Sequence, residues 1–418
     1  MRLLHLADVH LDTPFLGRSE TLRERLREAS RDAFRRAVDL AVEEKVHAVL
    51  LAGDLFDGER LSFATERFLL DELRRLSEAG IQTVYATGNH DPGEPGRRAL
   101  SLDWPGSVAV VAGGEPTRID IRDDEGRIVG RVTAAGHETA RETRDLVASF
   151  PAPGSSVPEV GLVHAQVVGA RAGEVHDPYA PTEVGTLRRS GYDYWALGHV
   201  HARQRVADDP PAWYPGNLQG RNPRETGDKG GLLVELGDGH PPRVEFRSLA
   251  PVRWETLAVD GLEDLRTLET LARAVEIRWR VERKEDPGLP GTEWAARFDL
   301  RGPSPLHREL AHEENLATLE REVAARLDLL DAEVRAEEIH APIDPEPHRR
   351  RQDVLGEALR MLEEARTDDD LLEEMKPEIL AGRVPGEDES DYLRTLLEGL
   401  DGELVSRMIV SDREEGGA

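Results

Sequence analysis

Short apolar runs punctuate the first half of the chain, each stopped by Gly or a polar residue. They occupy residues 3–7, 46–52, 81–87, 160–163 and 192–197. Runs of about four to eight apolar residues with such borders read as buried strands of an α/β sheet. Between them the period changes. Leu22, Leu26, Ala29, Ala33, Ala37 and Ala41 recur at helical spacing over residues 19–41, as do Leu69, Leu73 and Leu76 over residues 62–79. Two helices covering the sheet are therefore predicted. Residues 108–132 read as strands turning at Asp123-Asp124-Glu125-Gly126, and Pro151-Ala152-Pro153-Gly154-Ser155-Ser156 as a loop.

The pattern alters after Leu249-Ala250-Pro251. Residues 275–281 and 296–300 read as strands and residues 262–272 and 304–312 as helices, the makings of a small α/β unit. Residues 340–347 carry three prolines and form a stiff linker. Beyond it, residues 352–364 and 390–409 are predicted acidic amphipathic helices. One has the stripe Val354, Ala358, Leu359 and Leu362; the other has Leu393, Leu396, Leu397, Leu400, Leu404 and Met408. Two such helices have little core of their own, so their apolar faces need another surface. A separate subunit is the expected one, and folding back on the preceding unit is the alternative.

Each apolar run of the first half ends in metal-ligand types. The ordered set is Asp8-x-His10, Gly53-Asp54-x-x-Asp57, Gly88-Asn89-His90-Asp91, His164 and Gly198-His199-x-His201. An open α/β sheet gathers ligands at the carboxyl ends of its strands, so these separated stretches can meet in one crevice. Carboxylates and neutral imidazoles suit manganese, zinc or iron, and a chain without cysteine has no soft thiolate site. Two cations about 3.5–4 Å apart need a shared anionic bridge, and together they clamp the attacking and leaving oxygens of an in-line displacement at phosphorus. Asp54, after a strand and a glycine, is the natural bridge. Asp8, His10 and His201 would complete one metal, and Asn89, His164 and His199 the other. His90 is left over, placed to protonate the departing oxygen as general acid. His137 and His176 lack partners at ligand spacing and read as loop or half-buried histidines, and His5 and His47 as strand residues that face the core or are hydrogen-bonded.

The set resembles the calcineurin-like metallophosphoesterase superfamily, and within it the SbcD-type (YhaO-like) DNA repair exonucleases. The narrower resemblance rests on residues 3–11 (LLHLADVHL), 52–57 (AGDLFD) and 192–201 (YDYWALGHVH), and covers about residues 1–250. It implies a two-sheet sandwich flanked by helices over residues 1–250, a small α/β cap over 251–340 that touches DNA, and a helical partner-binding segment over 348–418. It also implies a manganese-dependent two-metal DNA exonuclease, with endonuclease action a further option, working beside an SMC-like ATPase of the SbcC/YhaN type. Similar nucleases form homodimers through helices near the second one and near residues 100–104. Some relatives carry histidine where this chain has Asp57, so Asp57 is expected to support the site without acting on the phosphate.

A small-molecule phosphoesterase, such as a cyclic-nucleotide phosphodiesterase, would share all the metal residues; the added cap and helical tail favour the nuclease. A Ser/Thr protein phosphatase fits less well, because Gly58-Glu59 follows the second aspartate where that group has Arg-Gly. The net charge of −28 requires positive charge to be concentrated locally if phosphates are bound. Arg97, Arg98, Arg203, Arg205, Arg221, Arg224 and Lys229 near the motifs are the expected source, with the metals adding to it. No stretch approaches the roughly 20 apolar residues of a membrane span. The first motif begins at the N-terminus, where removal of a leader would delete Asp8, so a cytoplasmic protein is expected.

Overall fold

The computed structural model describes residues 1–58, 61–154, 156–170, 179–237, 240–368 and 371–372, together with 394, 397, 400–402, 404–406 and 408. In the first unit, Met1–Glu255 with Leu289–Ala295, the predicted alternation of strand and helix is realised. β1 (Arg2–Leu6), α1 (Glu20–Glu43), β2 (Ala48–Ala52), α2 (Phe63–Glu78), β3 (Gln82–Ala86) and β4 (Val108–Val111) come first. β5 (Thr117–Arg122), β6 (Ile128–Ala135), β7 (Glu159–His164), α3 (Val184–Ser190) and β8 (Tyr194–Gly198) follow. β9 (Gln204–Asp208), β10 (Pro211–Tyr214), β11 (Gly230–Gly237) and β12 (His240–Ser248) complete the unit.

Two six-stranded sheets result, with orders β12-β11-β1-β2-β3-β4 and β5-β6-β7-β8-β10-β9. β1 to β4 run parallel, whereas β11 joins β1 antiparallel, pairing Leu4 with Leu233. In the second sheet β6, β7, β8 and β10 are parallel, and β5 and β9 close its edges antiparallel. β2 shows why continuous apolar runs were required. Ala48, Leu50 and Ala52 pack between the sheets, while Val49 and Leu51 pack beneath Leu69, Leu73 and Phe34 of the helices. A strand covered on both faces cannot alternate with polar residues. The first unit is thus the expected α/β two-sheet sandwich flanked by helices.

The second unit, Thr256–Gly288 with Ala296–Ala418, is built on a three-stranded sheet of β13 (Val252–Val259), β14 (Glu293–Pro303) and β15 (Asp331–His340). α4 (Leu268–Glu285) and α5 (Glu313–Leu327) accompany it. Here the pattern misleads. Residues 275–281, expected as a strand, lie inside α4. Their V-E-I-R-W-R-V alternation has a two-residue period, but Leu271, Ala272, Val275 and Trp279 bury one helical face, and Thr267 and Thr270 form a capping box. Residues 304–312, expected as a helix, hold only the short 3-10 turn Glu309–Ala311, and the helix begins after it.

After the short α6 (Glu346–Arg349) comes α7 (Val354–Thr367). Its stripe meets the later predicted helix, whose described residues are helical: Leu355 and Leu359 pack with Ile343, Leu404, Val405 and Met408, and Ala365 with Leu372 and Leu397. The stripes therefore cover one another in part. Val354 (75 % exposed) and Met361 (54 %) remain open. Leu393 and Leu396 lie outside the described residues. No described helix is long and apolar enough to cross a membrane.

Candidate metal centre

The candidate side chains cluster just beyond the strands. β1 hands over to Asp8 and His10, β2 to Asp54 and Asp57, β3 to Asn89, His90 and Asp91; β7 ends on His164 and β8 leads to His199 and His201. Backbone hydrogen bonds from Asp8 N to Gly53 O (3.2 Å), His10 N to Asp54 O (2.9 Å) and Leu11 N to Leu55 O (2.9 Å) zip the first two loops together. Asp8, His10, Asp54 and His199 have positive φ angles of 50°, 48°, 51° and 104°. Such conformations cost a non-glycine residue about 1–3 kcal/mol and persist where the surroundings over-determine them. The glycines leave the necessary room. A Cβ on Gly53 would lie 2.3 Å from His164 Nδ1, and one on Gly88 would lie 2.2 Å from Asp54 Oδ1.

Among the described residues three groups have ligand atoms within 4.8 Å of one another: Asp8, His10 and His201; Asp8, Asp54 and His164; and His10, Asp57 and His90. Asp54 Oδ2 stands between, 3.8 Å from His10 Nε2 and 3.5 Å from His164 Nε2. Asn89 Oδ1 lies 2.9 Å from His164 Nε2 and 3.2 Å from His199 Nδ1, joining those three side chains. His90 sits beside this cluster, its ring edge-on to that of His10 at 4.8 Å and its Nδ1 2.8 Å from Asp57 Oδ1. All the predicted site residues therefore meet in one crevice.

A supporting layer that the sequence did not announce orients them. Asp91 accepts hydrogen bonds from the backbone N–H groups of Asp54 (3.2 Å), Phe56 (3.2 Å) and Gly88 (2.7 Å) and from the Tyr85 hydroxyl (2.6 Å). Glu225 Oε1 lies 2.8 Å from His201 Nδ1, and Thr13 Oγ1 donates to Asp57 at 2.9 Å. Asp91 stood in a motif; Glu225 and Thr13 carried no spacing signal. His137 is fully buried, its Nε2 2.7 Å from the His164 carbonyl and its ring edge-on to that of His164 at 5.3 Å, so it packs against a candidate ligand without belonging to a ligand group. His5, also buried, lies between the Tyr194 hydroxyl and the Leu197 carbonyl. His47 Nδ1 accepts from Arg2 N, and His176 lies outside the described residues.

The electrostatics suit cations. Burial pushes His10 down to about 3 and His164 down to about 4, so both imidazoles are neutral at pH 7 with lone pairs to offer. Burial and the neighbouring Asp54 raise Asp8 to about 7, against the pull of His201. Burial would raise Asp54 as well, but His164, His10 and His90 outweigh it and hold this carboxyl below the ordinary range. Burial opposes the charge on His90, yet its hydrogen bond to Asp57 and the charge of Asp54 raise it to about 9. His164 Nδ1 is 2.9 Å from the Ala52 carbonyl, which fixes the proton there and leaves Nε2 to face Asn89 and Asp54. Glu225 does the same for His201. A histidine ligand commonly has its other nitrogen held in this way, and the donor set fits hard or borderline divalent metals.

The expected patch of positive charge is changed. Lys229 is buried and donates to the His201 carbonyl at 3.0 Å, and Arg221 turns inward to Asp57 and Glu225. Arg97 pairs with Glu94, Arg205 with Asp208, and Arg203 lies 3.6 Å above the Phe246 ring. The buried carboxylates near the site draw cations inward, where the sequence order alone placed them on the surface. The side chain of Arg98 lies outside the described residues.

A model of the calcineurin-like phosphoesterase family matches residues 1–203. The uncharacterized metallophosphoesterase YhaO of Bacillus subtilis is 34 % identical over 309 residues, 73 % of this chain and 72 % of its own length. The DNA double-strand break repair protein Mre11 of Aeropyrum pernix is 28 % identical over 251 residues, 58 % of this chain and 60 % of its own. A component of the nuclease SbcCD of Rhodobacter capsulatus is 29 % identical over 289 residues, 58 % of this chain and 68 % of its own. With the YhaO match spanning most of both chains and the ligand groups gathered at the strand ends, this chain belongs to the calcineurin-like metallophosphoesterases.

Proposed function

We propose that the chain is a two-metal DNA phosphodiesterase, an exonuclease with endonuclease action open to it, that serves DNA repair beside an SMC-like ATPase. The observation that carries the reading is the position of Asp54 between two groups of ligands, with His90 at their side. Asp8, His10 and His201 would hold one divalent ion and Asn89, His164 and His199 the other, with Asp54 shared and manganese the expected metal. Bound there, two cations would polarise the phosphate and stabilise charge on the attacking and leaving oxygens. The chain itself supplies the proton. His90, held by Asp57 at 2.8 Å and with its side chain 42 % exposed, is accessible to a substrate and carries a proton at neutral pH. Asp91 and the zipped loops keep Asp54 and His90 in register.

The relatives named Mre11 and SbcCD support DNA as the substrate. In this reading residues 1–250 are the nuclease domain, 251–340 the cap and 348–418 the segment that docks on the ATPase. The open side of α7, with Val354 and Met361, supplies an apolar anchor for that contact. Pairing of two copies through the α2 region belongs to the same proposal. The test is direct. Manganese-loaded protein is incubated with labelled duplex DNA and, separately, with a cyclic nucleotide. Shortening of the DNA is expected; turnover of the cyclic nucleotide alone would replace the nuclease by the small-molecule reading.

A further inference from the structure

Arg221 lies between two carboxylates that serve different histidines. Its NH1 is 3.4 Å from Asp57 Oδ2, and its NH2 is 3.4 Å from Glu225 Oε1 and 3.3 Å from His201 Nδ1. Asp57 in turn holds His90 and Glu225 holds His201, each at 2.8 Å. Charge-assisted hydrogen bonds commonly run at about 2.7–2.9 Å, so the histidines take the short contacts and the guanidinium the long ones. Coulomb attraction falls only as the inverse of distance, and at 3.4 Å in a buried crevice it still constrains both acids. The Arg221 side chain is only 16 % exposed, and its backbone N–H donates to Glu225 at 2.6 Å, so the loop that carries it is anchored on the same carboxylate. Its Nε is buried. A planar fork holds its donors in fixed directions toward two separated carboxylates, where a lysine ammonium is a compact point charge on a flexible stem.

We propose that Arg221 is a positioning residue for phosphoester hydrolysis: its guanidinium braces Asp57 against Glu225 and so fixes His90 relative to His201. The inference rests on the proposed roles of those two histidines and not on DNA being the substrate. Without the brace, Asp57 and Glu225 would stand in the crevice beside Asp8 and Asp54 with less compensation, and both histidine partners would be free to shift. A mis-set proton donor slows turnover without weakening substrate binding, because the loss is confined to the transition state.

The experiment uses full-length protein, the variants R221Q and R221K, and two readouts. One is calorimetric titration with manganese alone. The other is steady-state hydrolysis of bis(p-nitrophenyl) phosphate, a diester that reports on the centre whether or not DNA is cleaved. R221Q is expected to lose about 10²-fold in kcat with KM within about twofold, and to bind one of its two manganese ions about tenfold more weakly. R221K keeps the buried cation, and so serves if R221Q does not fold; its manganese affinity should approach the parent's while kcat stays at least about tenfold down. Full activity in R221K would overturn the brace. So would a tenfold rise in KM at unchanged kcat in either variant, which would place Arg221 on the substrate, or unchanged manganese binding and turnover in R221Q. If the parent protein hydrolyses the model diester and leaves DNA intact, the DNA reading falls and the brace test stands. If it hydrolyses neither, the manganese isotherms of the variants still decide.

Discussion

The two flanks of Asp54 are built differently. On the flank of Asn89, His164 and His199, the main chain takes part in the orientation: the Ala52 carbonyl fixes His164 Nδ1, the His164 carbonyl is held by the His137 side chain, and the His199 N–H donates to Asp8. On the flank of Asp8, His10 and His201 it comes from side chains, with Glu225, Asp57, Thr13 and Arg221 in contact with the ligands or with one another. In the proposed assignment the first flank carries no acid apart from the shared Asp54 and the second adds Asp8, although Asp8 also lies within ligand distance of Asp54 and His164. A ligand set by backbone is insensitive to substitution around it, whereas one set by charged side chains can be tuned residue by residue. The acidic flank should also bind its cation first and more tightly, because Coulomb attraction grows with the ligands' charge.

The largest effect expected is that of Asp54→Asn, since the proposed assignment gives this carboxylate to both ions, between His10 and His164. Losing several kcal/mol of charge stabilisation corresponds to about 10³-fold or more in rate. Asp8→Asn should cost less and empty one flank only. Elemental analysis of the two variants separates them, and near-complete manganese content in Asp54→Asn would remove the bridge. His90→Ala comes next, with a loss of about 10²–10⁴-fold in turnover and both metals retained. Loss of a metal from that variant would make His90 a ligand and redraw the acidic flank.

Glu225→Gln sharpens the comparison itself. It should weaken manganese binding by about 10–100-fold at one of two sites, seen as one displaced step in a calorimetric isotherm. Equal weakening at both sites would mean that the flanks are not independent. The smallest effect is assigned to His137→Phe, which leaves the buried His164 carbonyl without its side-chain partner. A loss of about 1–3 kcal/mol in unfolding free energy is expected, with metal affinity little changed. Urea denaturation of the metal-free protein would measure it, and a clear drop in manganese affinity would show that His137 sets the candidate ligand and not only the fold.

The sandwich and the gathering of the candidate ligands were legible for one reason: a short apolar run followed by glycine and a ligand type is a strand reaching its carboxyl end, and both facts are local. What lay beyond local pattern was misread. The alternation around Trp279 looked like a strand until its place on a capped helix was known. Lys229 and Arg221 read as surface charge because the His201 carbonyl that takes Lys229 and the Asp57 that faces Arg221 lie 28 and 164 residues away. Glu225 was silent for the same reason, as its partner is 24 residues away in sequence. The mutual covering of the two C-terminal stripes likewise depends on residues far apart in the chain.

β1 sits between β2 and β11, and its antiparallel neighbour is the stretch Gly230–Gly237. During synthesis, one edge of the strand that carries Asp8 and His10 stays open until that stretch has left the ribosome. At translation speeds of about 5–20 residues per second, the wait is on the order of tens of seconds. An open edge of buried-strand composition is prone to pairing with the wrong chain. Such long-range closure also makes for slow folding. The nascent protein would then be at its most aggregation-prone just before its metal site can exist, and divalent ions could rescue yield only after β11 has docked.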